Sequence, residues 1–105
     1  LWFAGALSGK YYGLFISTGA PGGGQESTAI AVTSSFVHQG KGYVLLGYKN
    51  GFEILANIDE VRGGSPWGAG TFASVDSSRQ PSELELKLAQ IQGKMFFETF
   101  SKVSF

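Results

Sequence analysis

Cysteine is absent from the 105 residues. There is accordingly no disulfide framework, no redox thiol and no thiolate metal site. The single histidine, His38, cannot assemble a zinc site alone. No apolar stretch approaches the roughly 18 residues of a membrane span. The opening LWFAGAL also lacks the charged flank and cleavage pattern of a signal peptide. Charge of one sign is missing too, since eight basic and eight acidic residues balance and no basic run occurs. Nucleic acid needs a clustered positive surface, so it is not an expected partner. Finally, the chain starts at Leu1 and its one methionine is Met95. Together these features predict a soluble, cytoplasmic protein that is a piece of something longer.

An apolar fraction of 43 % is that of a folded chain, with length for one modest core. YYGLFIST (11–18) is aromatic and β-branched, and predicts a buried strand. QESTAIAVTSSFVH (25–38) carries Ala29, Val32, Phe36 and Val37 at helical spacing, and Gly40 ends it. GYVLLGY (42–48) predicts a second buried strand. Strand, helix and strand with short joints make a βαβ unit, hence a parallel pair of residues 11–17 and 42–47.

From 49 to 80 periodicity fades and Gly and Ser accumulate, which predicts a long irregular excursion. PSELELKLAQIQGKMFFETFSK (81–102) closes the chain as a helix. Ser82 and Glu85 fit a capping box, and Leu84, Leu88, Ile91 and Met95 mark one face, joined by Phe96 and Phe100. Gly93 costs this helix about 1 kcal/mol and predicts a close helix–sheet contact. The two helices are expected on opposite faces of the sheet.

STGAPGGGQEST (17–28) packs four glycines and a proline between the first strand and the first helix. Ligands of open α/β sheets sit at such carboxyl ends, and helix N-termini there favour anionic or polar groups. The familiar nucleotide patterns fail. Gly24 precedes Gln25-Glu26 where a P-loop needs Lys-Ser/Thr, and Ser27 replaces the third glycine of a dinucleotide fingerprint. Around Ser65, GGSPW has Trp67 where a nucleophile elbow needs glycine. The residues alone leave open a bare strand-to-helix turn and, on paper only, a Ser–His–acid triad through His38.

LWFAGALSGKYYGLFISTGAPGGGQEST, HQGKGYVLLGY, GGSPWGAGT and DSSRQPSELEL…QGK together resemble the C-terminal half of the WrbA family. The wording GYKN…DEVRGGSPWGAG is similar to that of fungal members. The resemblance spans nearly the whole chain through four blocks in order. It implies an α/β, flavodoxin-like three-layer sandwich with a parallel sheet, of which residues 1–105 hold only the C-terminal strands and helices. It implies an FMN-dependent NAD(P)H:quinone oxidoreductase, with NADH or NADPH as donor, a quinone as substrate and a homo-oligomer as the working state.

By the same resemblance, Ser17, Thr18, Gly19, Ala20, Pro21 and Gly22 lie along the flavin ring, and His38 reaches it. Trp2 walls the substrate pocket from an adjoining subunit, or serves as a core or interface anchor. Trp67 anchors the glycine-rich excursion at a subunit interface or pocket rim. Ser74 and Ser77 stand where family members often have glycine, so that turn carries strain if φ is positive there. No catalytic acid, base or nucleophile is required of the protein, because the flavin does the chemistry. The family's phosphate loop is missing from the chain, so the competing expectation is a non-catalytic remnant acting through protein association.

Overall fold

The computed structural model describes residues 5–102. Trp2 lies outside the described residues, so its two readings stay as expectations. Tyr11–Tyr12 (β1) and Leu14–Thr18 (β2) run as one line of strand interrupted at Gly13. A Cβ on Gly13 would stand 3.4 Å from the Phe96 ring and 3.6 Å from the Val44 carbonyl oxygen, ordinary van der Waals distances. The loop 19–24 leads into a helix, Gln25–His38 (α1), whose N-cap Gly24 has φ 95° and supplies no side-chain cap. Only glycine takes that backbone at low cost.

The expected parallel partner is present, but short. Gly42–Tyr43 (β3) pairs with β1 in the register Tyr11↔Gly42 and Tyr12↔Tyr43, and strand structure stops there. Residues 44–47 leave the sheet. Leu46 enters the core at 1 % exposure, whereas Leu45 turns outward. A single helical turn, Phe52–Leu55 (α2), follows. The main partner of β2 then comes from the stretch read as irregular: Gly68–Phe72 (β4) runs parallel to it from Leu14↔Gly68 to Thr18↔Phe72. β3 and β4 therefore lie end to end along one line of strand, with residues 44–67 looped out between them.

Sequence pattern misses β4 because GAGTF has little strand propensity. Its small residues answer to close approach. A Cβ on Gly68 would overlap the Leu14 carbonyl, and one on Gly70 would meet the Gln25 side-chain oxygen at 2.6 Å. The opposing loop is equally tight, since a Cβ on Gly63 would fall 2.6 Å from the Gly70 carbonyl oxygen.

The last helix, Glu83–Ser101 (α3), begins as its sequence predicts. Ser82 accepts from the Glu85 backbone N–H, and the Glu85 carboxylate accepts from the Ser82 N–H. Leu88 is fully buried with Leu46, Ile54 and Ala69, and Leu84, Ile91 and Met95 pack around them. Alternate residues of β4 point to opposite faces. Ala69 meets α3, Gly70 meets α1, and the two helices cover opposite sides as expected.

Two expectations fail here. The strand at 11–18 is not buried throughout, because Phe15 is 84 % exposed. No close contact explains Gly93 either: among the described residues, no other part of the chain lies within 4 Å of where its Cβ would be. Both residues line one groove with Gly13, Ala89 and Phe96. The parallel strands and flanking helices establish an α/β arrangement.

Candidate functional site

Four glycines of the 17–24 loop divide by cause. Gly24 is demanded by its positive φ, and Gly23 by a Cβ that would stand 2.9 Å from the Ala20 carbonyl oxygen. That oxygen already accepts from the Gly23 N–H and the Thr18 hydroxyl, which closes the turn. Gly19 and Gly22 have no such reason. Among the described residues, the nearest atom to a Cβ on Gly19 is the Ser74 carbonyl oxygen at 3.9 Å, and around Gly22 there is nothing within 4 Å. These two positions present bare backbone to open space at the carboxyl end of β2.

The loop has a concavity on each side. One, of about 250 Å³, lies between Gly19, Ala20 and Pro21 and the turn after β4, where Phe72, Ser74 and Val75 face them. Ser74 and Ser77 in that turn have φ of 72° and 62°, so the conditional strain is present. The other, about 530 Å³, opens between the N-terminus of α1 and the looped-out segment, past Gly22, Gln25, Tyr48, Arg62 and Ser65.

Three side chains hold this end together, and sequence reasoning singled out only Glu85 among them, as part of the α3 cap. Gln25 donates to the Thr71 carbonyl at 2.8 Å and accepts from the Gly64 N–H at 3.1 Å, tying α1 to β4 and to the looped-out segment. Gln92 of α3 donates to the Leu14 carbonyl at 2.7 Å and accepts from the Ala69 N–H at 2.8 Å. Glu85, 3 % exposed, accepts from the Gly63 N–H (2.6 Å), the Thr71 hydroxyl (2.8 Å), the Ser82 N–H (2.8 Å) and Arg79 (3.0 Å). Arg79 in turn donates to the Phe72 and Val61 carbonyls. A polar residue inside an apolar helical stripe, as Gln92 is beside Ile91 and Met95, was the available signal.

Burial alone would raise the Glu85 pKa. The donors from Gly63, Ser82, Arg79 and Thr71 outweigh it and hold the carboxyl below its ordinary value. A depressed carboxyl stabilises the fold above the unfolded pKa of about 4.3, and that contribution disappears as pH falls through the folded value. Acid titration of unfolding stability should therefore show a decline below about pH 4.3. Glu85→Gln should flatten that limb. An unchanged acid limb in the variant would remove Glu85 from the explanation.

His38 is not brought to the loop. It ends α1 at the opposite end from Gly24, and 14 residue steps at 1.5 Å put it about 21 Å away. Its ring Nδ1 donates to the Ser34 carbonyl at 2.8 Å, where a triad would need a carboxylate. Ser17 and Thr18 end β2 and Gly19 through Gly22 follow directly in the loop; His38, at the far end of α1, is not beside them. Trp67 sits within the fold, its carbonyl accepting from the Tyr43 hydroxyl and its ring 6.0 Å from that of Tyr43. Among the described residues no three His, Cys, Asp or Glu side chains gather as a metal site, and no helix is long and apolar enough to cross a membrane.

No protein-family profile matches the chain. Individual relatives match it closely. It is similar to Minor allergen Alt a 7 of Alternaria alternata, at 62 % identity over 101 residues, which is 96 % of this chain and 50 % of the relative. It is 56 % identical over 102 residues to NAD(P)H quinone oxidoreductase PST3 of Candida albicans, covering 97 % of this chain and 51 % of that protein. Protoplast secreted protein 2 of Saccharomyces cerevisiae is 57 % identical over 102 residues, with the same coverages. The chain spans about half the length of the curated relatives it matches. With parallel strands between two helices and this likeness along almost all of its own length, the chain belongs to the WrbA-like family that includes the fungal NAD(P)H quinone oxidoreductases.

Proposed function

We propose that this chain is the carboxyl-terminal part of a flavodoxin-like, FMN-dependent NAD(P)H:quinone oxidoreductase. The observation that carries the reading is the bare backbone of Gly19 and Gly22 at the carboxyl end of β2, which no contact among the described residues explains. A flat ring system is a ligand that needs such a surface, and four relatives are named NAD(P)H quinone oxidoreductases. When bound, FMN supplies the two-electron relay between nicotinamide and quinone.

In this reading Ser17, Thr18, Gly19, Ala20, Pro21 and Gly22 meet one edge of the ring. Thr18 spends its hydroxyl on the Ala20 carbonyl, which fixes the turn and leaves backbone groups to face the ligand. Gln25 holds the loop's far end against β4. His38, a helix length away, reaches a flavin only on another copy, so the working state is a homo-oligomer. Trp2 belongs to the quinone pocket of an adjoining subunit. Dependence on NAD(P)H favours a cytoplasmic setting.

Flavin fluorescence tests the reading. The chain joined by the complementary half of a full-length relative should quench FMN fluorescence and oxidise NAD(P)H in the presence of a quinone. The chain alone should bind FMN at least tenfold more weakly. Gly22→Val should weaken FMN binding by the joined protein at least tenfold without moving the thermal unfolding of the isolated chain. Equal FMN affinity for Gly22→Val and the parent would sink the assignment of this loop. Half-length coverage favours the alternative of a non-catalytic remnant, and a joined protein with neither quenching nor activity would establish that one.

A further inference from the structure

Two asparagines occur in the sequence, Asn50 and Asn57, and the fold treats them oppositely. Asparagine is among the thermally labile side chains. Its amide is attacked most readily by the main-chain nitrogen of a following glycine, because no Cβ crowds or stiffens that approach. Asn50 is exposed and precedes Gly51, the residue that starts α2. Among the described residues the Gly51 N–H has no hydrogen-bond acceptor, so nothing holds it away from the side chain before it. Both residues line a surface hollow of about 470 Å³, together with Lys49 and Lys87. Asn57 is the contrary case. Its side-chain oxygen accepts from the Asp59 N–H at 2.8 Å, and the next residue is the β-branched Ile58.

The packing around Gly51 gives such a reaction a consequence. The Gly51 carbonyl accepts from the Ile54 and Leu55 N–H groups, at 3.1 and 2.9 Å, and so seats α2. A Cβ on Gly51 would stand 2.8 Å from the Leu88 Cδ1, and Leu88 is fully buried with Leu46 and Ile54. Added main-chain length at this point has no room to go inward.

We propose that Asn50 is a self-modification site, at which the chain converts its own asparagine to aspartate and isoaspartate, the latter unseating α2. The Gly51 nitrogen gives its proton to hydroxide and attacks the Asn50 Cγ. The N–Cγ bond forms, the Cγ–Nδ2 bond breaks, and the amide leaves as ammonia with a proton from water. Water then opens the succinimide. Breaking the new N–Cγ bond leaves aspartate. Breaking the bond from the residue-50 carbonyl carbon to the Gly51 nitrogen leaves isoaspartate, whose main chain runs through Cγ and is longer by one methylene. Asparagine and water become an acid and ammonia, with no oxidant or other reactant. Either product adds a negative charge to a chain whose eight acidic and eight basic residues balance. Only isoaspartate drives Gly51 against Leu88. The site is independent of flavin binding and of quinone chemistry.

The test ages the purified chain at mildly alkaline pH, with and without guanidinium chloride. Isoaspartate is located by methyl transfer with an isoaspartyl methyltransferase and by peptide mass. In the folded chain Asn50 should convert at least tenfold faster than Asn57, at a rate less than tenfold below its rate in denaturant. The aged chain should melt below the fresh one. Asn50→Asp, which carries the charge without the longer main chain, should melt with the fresh parent, and Asn50→Ser should age without change. Conversion of Asn50 slowed tenfold or more by folding would overturn the proposal, because the fold would then protect the site. A ratio below tenfold between Asn50 and Asn57 would do the same. So would an aged, isoaspartate-bearing chain that melts with the fresh parent, or an Asn50→Asp chain that melts as low as the aged one.

Discussion

Gly68→Ala is expected to abolish cooperative unfolding of the chain, or to lower its stability by about 3 kcal/mol or more. The added Cβ would overlap the Leu14 carbonyl and lie 2.8 Å from the carbonyl carbon. Backbone is the least yielding neighbour, since moving Leu14 shifts the whole β2–β4 register and the Gln92 contacts to Leu14 and Ala69 with it. A domain of this kind has about 5–15 kcal/mol in total, so a loss of that size is a large fraction. Gly93→Ala is the matched control. With open space at that position it should be neutral or raise stability by up to about 1 kcal/mol through helix propensity. Thermal melts of the two variants would separate them by well over 10 °C; similar melting temperatures would mean that the β2–β4 contact is not where stability resides.

Glu85→Ala comes second in expected size. Its carboxylate is the common acceptor for Gly63, Thr71, Ser82 and Arg79, and removing it strands donors at a site that is nearly closed to water. Breaking a buried pair by deleting one partner costs about 3–5 kcal/mol. The Arg79 side chain is 28 % exposed, so solvent recovers part of its charge and the lower end of the range is expected. Urea denaturation measures the loss. A double-mutant cycle with Arg79→Ala should assign about 1 kcal/mol to the pair itself, with the remainder lying in the two backbone N–H groups and the Thr71 hydroxyl. A single-mutant loss under about 1 kcal/mol would show that water replaces the carboxylate.

Legibility followed periodicity. α3 and its Ser82–Glu85 cap were readable because a long helix writes its burial into the chain every three or four residues. α1 was readable by the same rule as a helix, with Ala29 fully buried, although Val37 of the expected face is 63 % exposed. β4 was not. Its residues were selected by the space between backbones, and GAGTF has no alternation to record that. The 42–48 run misled for the opposite reason. Its apolar residues serve a core position at Leu46 and outward ones at Leu45 and Tyr48, so apolar character there does not mean strand. In the site, the glycine loop announced itself by composition. The amides that brace it, Gln25 and Gln92, act at sequence separations of 46 and 78 residues, beyond any local pattern. Distance along α1 also defeats the idea that His38 and the loop serve one cavity of one chain.

The end-to-end placement of β3 and β4 has a kinetic consequence. Contacts between β1 and β3 close a loop of modest length through α1, whereas β2 meets β4 only after residues 44–67 have been gathered in. Closure entropy grows with the logarithm of loop length, about 0.6 kcal/mol for each doubling. Folding should therefore nucleate on the β1–α1–β3 side, with β4 and α3 arriving later. Shortening the 44–67 loop while preserving Leu46 and Ile54 would then accelerate folding and scarcely alter the unfolding rate, the signature of a segment whose main cost is its own search.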